Sequence, residues 1–539
     1  MEKDTYIPIT KESSIRRAPY PGLFLKQAPS SKNFLEYLYG ENKIYSLLML
    51  FLMICQFIVF KLLYPFPDFF SDSYSYLFAA YAHLDVNIWP IGYSKFLWIF
   101  HSFTHSAIAL NFFQYMFLEV AALYFYHTLV YFYPTGKNTR TFLCLFLFFN
   151  PLTLYLANYV SSDAIFIGLS LIWLTQLIWI VQRPRPYQLL VQAIVIFIAF
   201  TFRYNAMYYP ILTSLALFLS RQRLWSKLMG TALPVLFIIP FILFSRNATL
   251  KMVGTRQFPP ILGGWQWGNN ALYMREFIDV DSTKLPSSEC RELDRIARKY
   301  FQTVPPQNRD LLAYVANFFI RQPEAPLKQY MVSHYQMTDQ LSQVIAWGKV
   351  APVFGEYGLY LIKTHPFAFA RYYLLVNTKN YFLPPLEKLE VYNLGLDDMW
   401  PIAAYWFDYP NLHVKSVSRE LQGNLLLVYP ALFLLFNLYF GYSFYLFLIR
   451  KSFKKVERSF TATQILITVF VVLNLCFSVF ANIIVIRYQV FPMIVYLAFS
   501  LLLTDRLEEI ANKREVSSDQ SRDHELSEIP VISKQPQLS

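Results

Sequence analysis

Ionisable side chains at the edges of long apolar runs are the residues of this sequence that could carry chemistry. In an apolar chain such groups are costly, so each needs a structural or a functional reason. Carboxylates there can accept protons or bind cations, and arginines can bind anionic groups. The residues concerned are Asp68, Asp72, Asp85, Asp163, Arg203 and Arg487.

Each of these residues also has a purely structural interpretation. Asp72 and Asp163 stand before helix-like stretches, where a carboxylate caps a helix or complements its dipole. An arginine near the end of a membrane span commonly extends its side chain to the lipid head groups. A functional interpretation requires these groups to converge, although they are far apart in the sequence.

The composition of the 539-residue chain indicates that these positions lie at a membrane. Hydrophobic residues make up 55% of the chain and charged residues 15%, whereas a soluble domain carries about 25% charged residues. The mean hydropathy is +0.32. Such a chain cannot cover its apolar surface with polar groups. This excludes a soluble enzyme, a disordered scaffold and a disulfide-stapled secreted module.

Ten apolar runs approach the length of about 20 residues that crosses a bilayer as a helix. The sequence therefore predicts an all-α polytopic membrane protein with about ten transmembrane helices. The fifth and sixth runs are short, and Arg203 interrupts them. The runs centre on 44–63, 108–131, 141–157, 164–182, 188–202, 205–220, 228–246, 424–449, 461–482 and 485–504.

Positive charge predicts the orientation of these spans, because lysine and arginine accumulate in cytoplasmic loops. The N-terminal segment and the connections after the second, fourth, sixth and eighth runs are rich in these residues. The alternate short connections contain only Arg203 and Arg487. Both termini are therefore predicted to be cytoplasmic, with the candidate residues on the outer face.

The same pattern divides the chain into five predicted segments. The last of them is polar, with few aromatic residues, and is predicted to be disordered. The segments are a cytoplasmic N-terminal segment (1–43), an N-terminal transmembrane catalytic module (44–246) with an external loop (64–107), a large extracytoplasmic domain (247–423), C-terminal transmembrane helices (424–504) and a cytoplasmic tail (505–539).

Several short motifs resemble the GT-C fold integral-membrane glycosyltransferases, especially the bacterial branch with the aminoarabinose, protein-mannosyl and Rgt-like transferases. Their order, spacing and side of the membrane are similar to the family across about residues 44–504. The resemblance implies membrane-parallel helices in the first external loop and a mainly helical external domain before the last three spans. The motifs are SDSYSYLFAA (71–80), PIGYSKFLWIF (90–100), NPLTLYLANYVSSDAIF (150–166), FRYNAMYYP (202–210), GEYGLYLIKTHPFAFARYYLLV (355–376) and IRYQVFPMIV (486–495).

The resemblance implies an inverting transfer of a sugar from a polyprenyl-phosphate donor to an extracytoplasmic acceptor, which would be a lipid-linked glycan, a glycolipid or a protein. Asp72 would accept the proton of the attacking hydroxyl, with Asp68 as the alternative base. Arg203 and Arg487 would stabilise the negative charge on the departing phosphate. The residues expected to bind the sugar or the acceptor are Asp163, Tyr93 and Tyr204.

Two features depart from the family pattern. Many members place a second acid directly after the first-loop aspartate, whereas Ser73 follows Asp72 here, so the choice between Asp68 and Asp72 stays open. The stretch 270–350 matches no motif of the family, which leaves the acceptor undefined. Asp163 and the first-loop acid could also hold a divalent cation, since some members use a metal and others do not.

Other functions fit parts of the sequence. A polysaccharide polymerase or ligase also has about ten spans and a large external loop, and His334 or His365 could serve it. A transporter or flippase for lipid-linked glycans would place charges at mid-membrane depth, where Glu119 is the main example. The matching branch is mostly bacterial, so we expect a bacterial inner membrane. Membrane lipids are expected partners, and nucleic acid is not.

Overall fold

The computed structural model describes residues 25–26, 33–304 and 317–527, with side chains up to residue 513. Regular secondary structure in these ranges is helical, and the β-type pairings found there are two isolated single-residue bridges. The prediction of an all-α chain is confirmed for this part of the protein.

The N-terminal half contains most of the predicted spans. Five of its helical segments are long and apolar enough to cross a membrane. The helices, in chain order, are α1 (Phe34–Glu36), α2 (Lys43–Leu63), α3 (Ser71–Tyr81), α4 (Gly92–His101), α5 (Ala107–Phe132), α6 (Lys137–Phe148), α7 (Pro151–Asn158), α8 (Asp163–Gln182), α9 (Tyr187–Phe202), α10 (Tyr209–Leu219) and α11 (Leu224–Val253). The five segments are α2, α5, the interrupted pair α6–α7, α8 and α11.

Two predicted spans, the fifth and the sixth, are shorter than a full crossing. Helices α9 and α10 have 16 and 11 residues. Arg203 and a 3-10 turn at Tyr204–Tyr208 separate them. The backbone at Arg203 is extended, which ends α9 at 16 residues, four fewer than in α8.

The first predicted external loop contains α3 and α4. Helix α3 begins where the Ser73 hydroxyl accepts a hydrogen bond from the backbone N–H of Phe70, at 3.3 Å. Seven of its eleven residues are buried, and the other four recur every three or four residues, so only one stripe of the helix is left uncovered. Tyr74 on the same helix stacks against Trp400, with ring centroids 4.5 Å apart. These contacts hold the start of α3, and with it Asp72, against the rest of the protein.

The described residues of 254–374 form shorter helices around a second hydrophobic core, whereas the buried residues of 381–414 belong to the core of the long apolar helices. The described part of 254–420 is mainly helical, and its assignment as an external domain stays a prediction. The helices are α12 (Leu262–Arg275), α13 (Ser288–Thr303), α14 (Phe318–Arg321), α15 (Pro326–His334), α16 (Gln340–Thr364), α17 (Pro366–Phe369), α18 (Leu375–Phe382) and α19 (Pro401–Trp406).

Helices α12 and α16 approach each other closely through glycines. A Cβ atom at Gly264 would lie 1.8 Å from the carbonyl oxygen of Ala351, and one at Gly358 would lie 2.3 Å from that of Trp267. Only a residue without a Cβ allows this approach. The contact packs the two helices together within the second hydrophobic core.

Three further segments long and apolar enough to cross a membrane end the described chain, namely α20–α21, α22 and the first part of α23. Their bounds are α20 (Leu421–Leu426), α21 (Tyr429–Ile449), α22 (Arg458–Ala481) and α23 (Ile486–Ser527). The described residues thus contain eight helical segments long and apolar enough to cross a membrane, which is consistent with a polytopic helical protein.

The structure differs from the predicted disordered tail, because α23 continues past Asp505 to Ser527. Leu507 is buried there, and Glu509 pairs with Arg506 and Lys513 at 2.7 Å each. Ion pairs three and four residues apart favour the helix. Residues 528–539 and most of the predicted segment 1–43 lie outside the described residues.

Candidate functional site

Asp72 is the second residue of α3 and is buried between cationic side chains. The ammonium of Lys388 donates a hydrogen bond to Asp72 Oδ1 at 3.0 Å. The guanidinium of Arg487 lies 3.4 Å from Asp72 Oδ2. A buried carboxylate needs such partners, because leaving it unpaired away from water costs several kcal/mol, of the order of 3–5.

Arg487 connects Asp72 to a second buried carboxylate. Its Nη1 atom lies 3.4 Å from Asp163 Oδ2, and Arg203 donates a hydrogen bond to the other oxygen of Asp163. Both arginines also face the ring of Tyr488, with guanidinium carbons 4.7 and 4.8 Å from its centroid. The structure thus brings together Asp72, Asp163, Arg203 and Arg487, four residues that the sequence analysis singled out.

Helix ends position all four of these residues. Asp72 and Asp163 lie in the first turns of α3 and α8, where the helix dipole favours a negative charge. Arg203 directly follows α9, and Arg487 is the second residue of α23. Asp163 therefore combines the predicted position at a helix start with pairing to two arginines.

The charge state of Asp72 is set by competing effects. Burial disfavours the carboxylate, but the positive charges of Lys388 and Arg487 outweigh burial and hold the pKa of Asp72 below its usual value. The carboxylate is therefore ionised at neutral pH. An ionised carboxylate can accept a proton from a hydroxyl brought within hydrogen-bond reach.

Asp68 lies apart from this network, in the segment before α3. Its Oδ1 atom accepts a hydrogen bond from the backbone N–H of Asn393 at 2.9 Å. Burial raises the pKa of Asp68 to about 8, although the hydrogen bond from Asn393 acts in the opposite direction. At pH 7 this carboxyl is mostly protonated, so it is poorly suited to accept a proton.

Two cavities meet at Asp72 and Arg487. The Lys328 cavity, of about 390 Å³, also contacts Lys388 and lies toward the region of residues 317–347. The Asp163 cavity, of about 500 Å³, lies on the side of Arg203. Each volume is within the range of small-molecule sites. The residues that line both are Asp72, Ile88, Trp89, Leu262, Arg487 and Tyr488.

The two tyrosines expected to bind sugar or acceptor have different surroundings. Tyr204 lines the Asp163 cavity. Tyr93 is buried, donates to Gln114 Oε1 at 2.7 Å and lines neither cavity. Tyr76, which the sequence analysis did not select, lines the Asp163 cavity with its hydroxyl 3.2 Å from Ser162 Oγ. Tyr93 therefore supports the packing behind the site.

Lys388 and Glu387 are site residues that sequence reasoning missed. Glu387 lies 3.6 Å from Arg487 Nε and pairs with Arg321 at 3.0 Å. Both residues belong to a 3-10 turn that follows Pro384-Pro385. The only feature of the sequence that marks these two residues is a run of charges directly after a double proline. Ordinary surface loops often have the same pattern, so it does not indicate a functional site.

The carboxylates of the site do not fit the divalent cation that the sequence analysis allowed for. Arg487 lies within 3.4 Å of both Asp72 and Asp163, in the place that an ion shared by these carboxylates would need. Among the described residues, no group of three or more His, Cys, Asp or Glu side chains is arranged to hold a metal.

The residues that a polymerase, a ligase or a transporter would use lie outside the two cavities. His334 is 3.3 Å from Glu292 and stacks on Tyr330, and His365 contacts Thr364 at 2.9 Å. Neither histidine lines the two cavities at Asp72. Glu119 is fully buried within α5 and is likewise absent from both cavity walls.

No protein-family model, curated protein or solved structure compared with the chain matches it. The site itself has two features from which a function can be inferred. They are the network of buried charges and the pair of cavities that meet at Asp72.

Proposed function

We propose that this protein is a membrane glycosyltransferase that moves a sugar from a polyprenyl-phosphate donor to an extracytoplasmic acceptor. The observation that carries the proposal is the position of Asp72, an ionised carboxylate in the wall of two cavities. A bimolecular transfer needs a donor and an acceptor held on either side of one base.

In the proposed reaction the donor occupies the Asp163 cavity. Apolar side chains in its wall are exposed on the protein surface, with Met207 57% and Phe480 44% exposed. In a membrane such side chains face lipid, so a polyprenyl chain can reach the cavity from the bilayer. Arg203 and Arg487 line the same cavity and would hold the phosphate.

Asp72 would take the proton of the acceptor hydroxyl as the hydroxyl oxygen bonds to the anomeric carbon. The bond from that carbon to the phosphate oxygen breaks, and its electron pair leaves with the phosphate. Arg487 and Arg203 would stabilise this charge. Arg487 contacts Asp72, and binding of the donor phosphate by Arg487 would weaken this contact and make Asp72 more basic.

The proposal includes an orientation in the membrane. Eight or ten crossings are both even numbers, so the two short helices α9 and α10 do not change the side on which the termini lie. Lys and Arg in alternate connections favour both termini in the cytoplasm. The site, the first loop and the region 247–423 then lie outside, in a bacterial inner membrane.

The test compares membranes that contain the wild type, Asp72→Asn or Asp85→Asn at equal abundance. Each is supplied with a panel of radiolabelled polyprenyl-phosphate sugars and native membrane extract. Asp85 is the matched control, because it lies in the same loop, is 59% exposed and pairs only with Lys95 among the described residues. We expect transfer by the wild type and Asp85→Asn, and a loss of about 10²–10⁴-fold in Asp72→Asn.

Transfer that survives Asp72→Asn would contradict the assignment of the base. No transfer from any donor of the panel would count against the glycosyltransferase proposal.

A further inference from the structure

The Lys328 cavity has more positive than negative charge in its wall. Its described ionisable residues are four cations and two carboxylates: Arg321, Lys328, Lys388, Arg487, Asp72 and Glu387. The Asp163 cavity, by contrast, has two of each sign, namely Arg203, Arg487, Asp72 and Asp163. A cavity with an excess of positive charge favours a ligand that carries negative charge.

Two cations, Lys328 and Arg487, make up this excess, and Arg487 also pairs with Asp163. Arg321 pairs with Glu387 at 3.0 Å, and Lys388 pairs with Asp72 at the same distance. Lys328 has no carboxylate within 4 Å among the described residues; its ammonium instead lies 3.9 Å from the centroid of the Trp347 ring. The indole holds the ammonium at the cavity wall by a cation–π contact without neutralising its charge.

The rest of the wall has the chemistry of a sugar-binding site. Trp400 is 47% exposed and its ring is backed by Tyr74, so the indole presents a flat apolar surface to the cavity. The amide side chains of Asn317, Gln340 and Gln343 can both donate and accept hydrogen bonds, as hydroxyl groups require. Small-molecule sites commonly combine aromatic surfaces with a few such polar groups.

We propose that the Lys328 cavity binds the acceptor as a glycan with an anionic substituent, whose charged group contacts Lys328 and whose sugar ring packs on Trp400. This inference rests on the proposed function, because it places the acceptor opposite the lipid donor at Asp72. The donor phosphate would engage Arg487, which leaves Lys328 for a second anion. That anion is a carboxylate or a phosphate on the glycan.

The test measures sugar binding by the purified full-length protein in lipid nanodiscs, using ligand-observed NMR at low ionic strength. The probes are methyl glucoside, methyl glucuronide and glucose 6-phosphate. We expect at least one anionic sugar to bind about tenfold or more tightly than methyl glucoside, as for a hydrogen bond to a charged group. The preferred anion identifies the substituent.

Four variants examine the contacts. Lys328→Gln should bind the anionic sugars no more tightly than methyl glucoside, and Trp400→Ala should weaken the binding of all three probes. Lys284→Gln is the matched control, since Lys284 is 74% exposed and lies outside the cavity wall. Thermal unfolding of each variant shows whether the fold is intact, and Lys328→Arg should retain the preference for anions.

The inference is overturned if methyl glucoside binds as tightly as both anions, if no probe binds, or if folded Lys328→Gln keeps the preference. These measurements need no donor and no transfer. A protein that selects anionic sugars but transfers nothing would contradict the glycosyltransferase proposal alone. A protein that transfers sugar to neutral acceptors without selecting anions would contradict this inference alone.

Discussion

The guanidinium of Arg487 lies 3.4 Å from the carboxylate of Asp72, although the two residues are 415 positions apart in the sequence. One is at the start of the last membrane-crossing helix and the other at the start of the first-loop helix. This ion pair can form only when both ends of the transmembrane part are assembled. The site and the helical bundle therefore depend on each other.

Replacement of Arg487 should affect both stability and transfer. Arg487→Met leaves Asp72 and Asp163 with one cation each, and breaking a buried ion pair costs about 3–5 kcal/mol. We expect a lower midpoint of thermal unfolding and a fall in transfer rate of about 10²-fold or more. Arg487→Lys should recover much of the stability but little of the rate, because lysine lacks the planar fork. The exposed Arg291, changed to Met, is the control; equal effects of both Met variants would refute this role.

The pH dependence of kcat/KM should distinguish the two candidate bases. The neighbouring cations hold the pKa of Asp72 below its usual value, which is about 3.9. With Asp72 as the base, kcat/KM should be flat between pH 5 and 7. With Asp68 as the base, whose pKa is raised to about 8, the rate should climb roughly tenfold per pH unit across that interval. Such a climb would reverse our assignment.

The Asp68 carboxyl should make the protein less stable as the pH rises. Its pKa is raised in the folded state, so the folded chain binds a proton that the unfolded chain releases above about pH 4. The stabilisation is fully present below that pH and is lost as the pH rises toward 8. Asp68→Asn remains neutral and keeps an oxygen for the Asn393 N–H, so its unfolding midpoint should fall less between pH 5 and 8. Parallel curves for the two proteins would be inconsistent with a buried protonated acid.

The contact between α12 and α16 should not tolerate a methyl group. A Cβ at Gly264 would lie 1.8 Å from a backbone oxygen of α16, so Gly264→Ala must push the helices apart. Overpacking of this kind costs about 1–3 kcal/mol, or more where backbone has to move. Gly441→Ala is the control, because nothing lies within 4 Å of its Cβ position. We expect a lower unfolding midpoint only for Gly264→Ala, measured in nanodiscs.

The sequence predicted the charges at helix ends well, for a physical reason. In an apolar chain an ionisable residue is rare, so Asp163 and Arg487 stand out against their surroundings. Lys388 and Glu387 also form ion pairs in the network, but they lie in a charged stretch that resembles a soluble protein. Charged residues are common in such a stretch, so their presence does not indicate a site. The helix beyond Asp505 was missed because polar composition hides the short-range ion pairs that favour it.

The two cavities that meet at Asp72 also determine the kinetic order of the proposed transfer. Since the proposed acceptor and donor sites are different cavities, both substrates could be bound at once, and the sugar could pass between them in a single displacement. Initial-rate plots for the two substrates would then intersect, as in a sequential mechanism, and would not run parallel. After transfer, the lipid phosphate can return sideways into the bilayer while the extended glycan leaves on the other side.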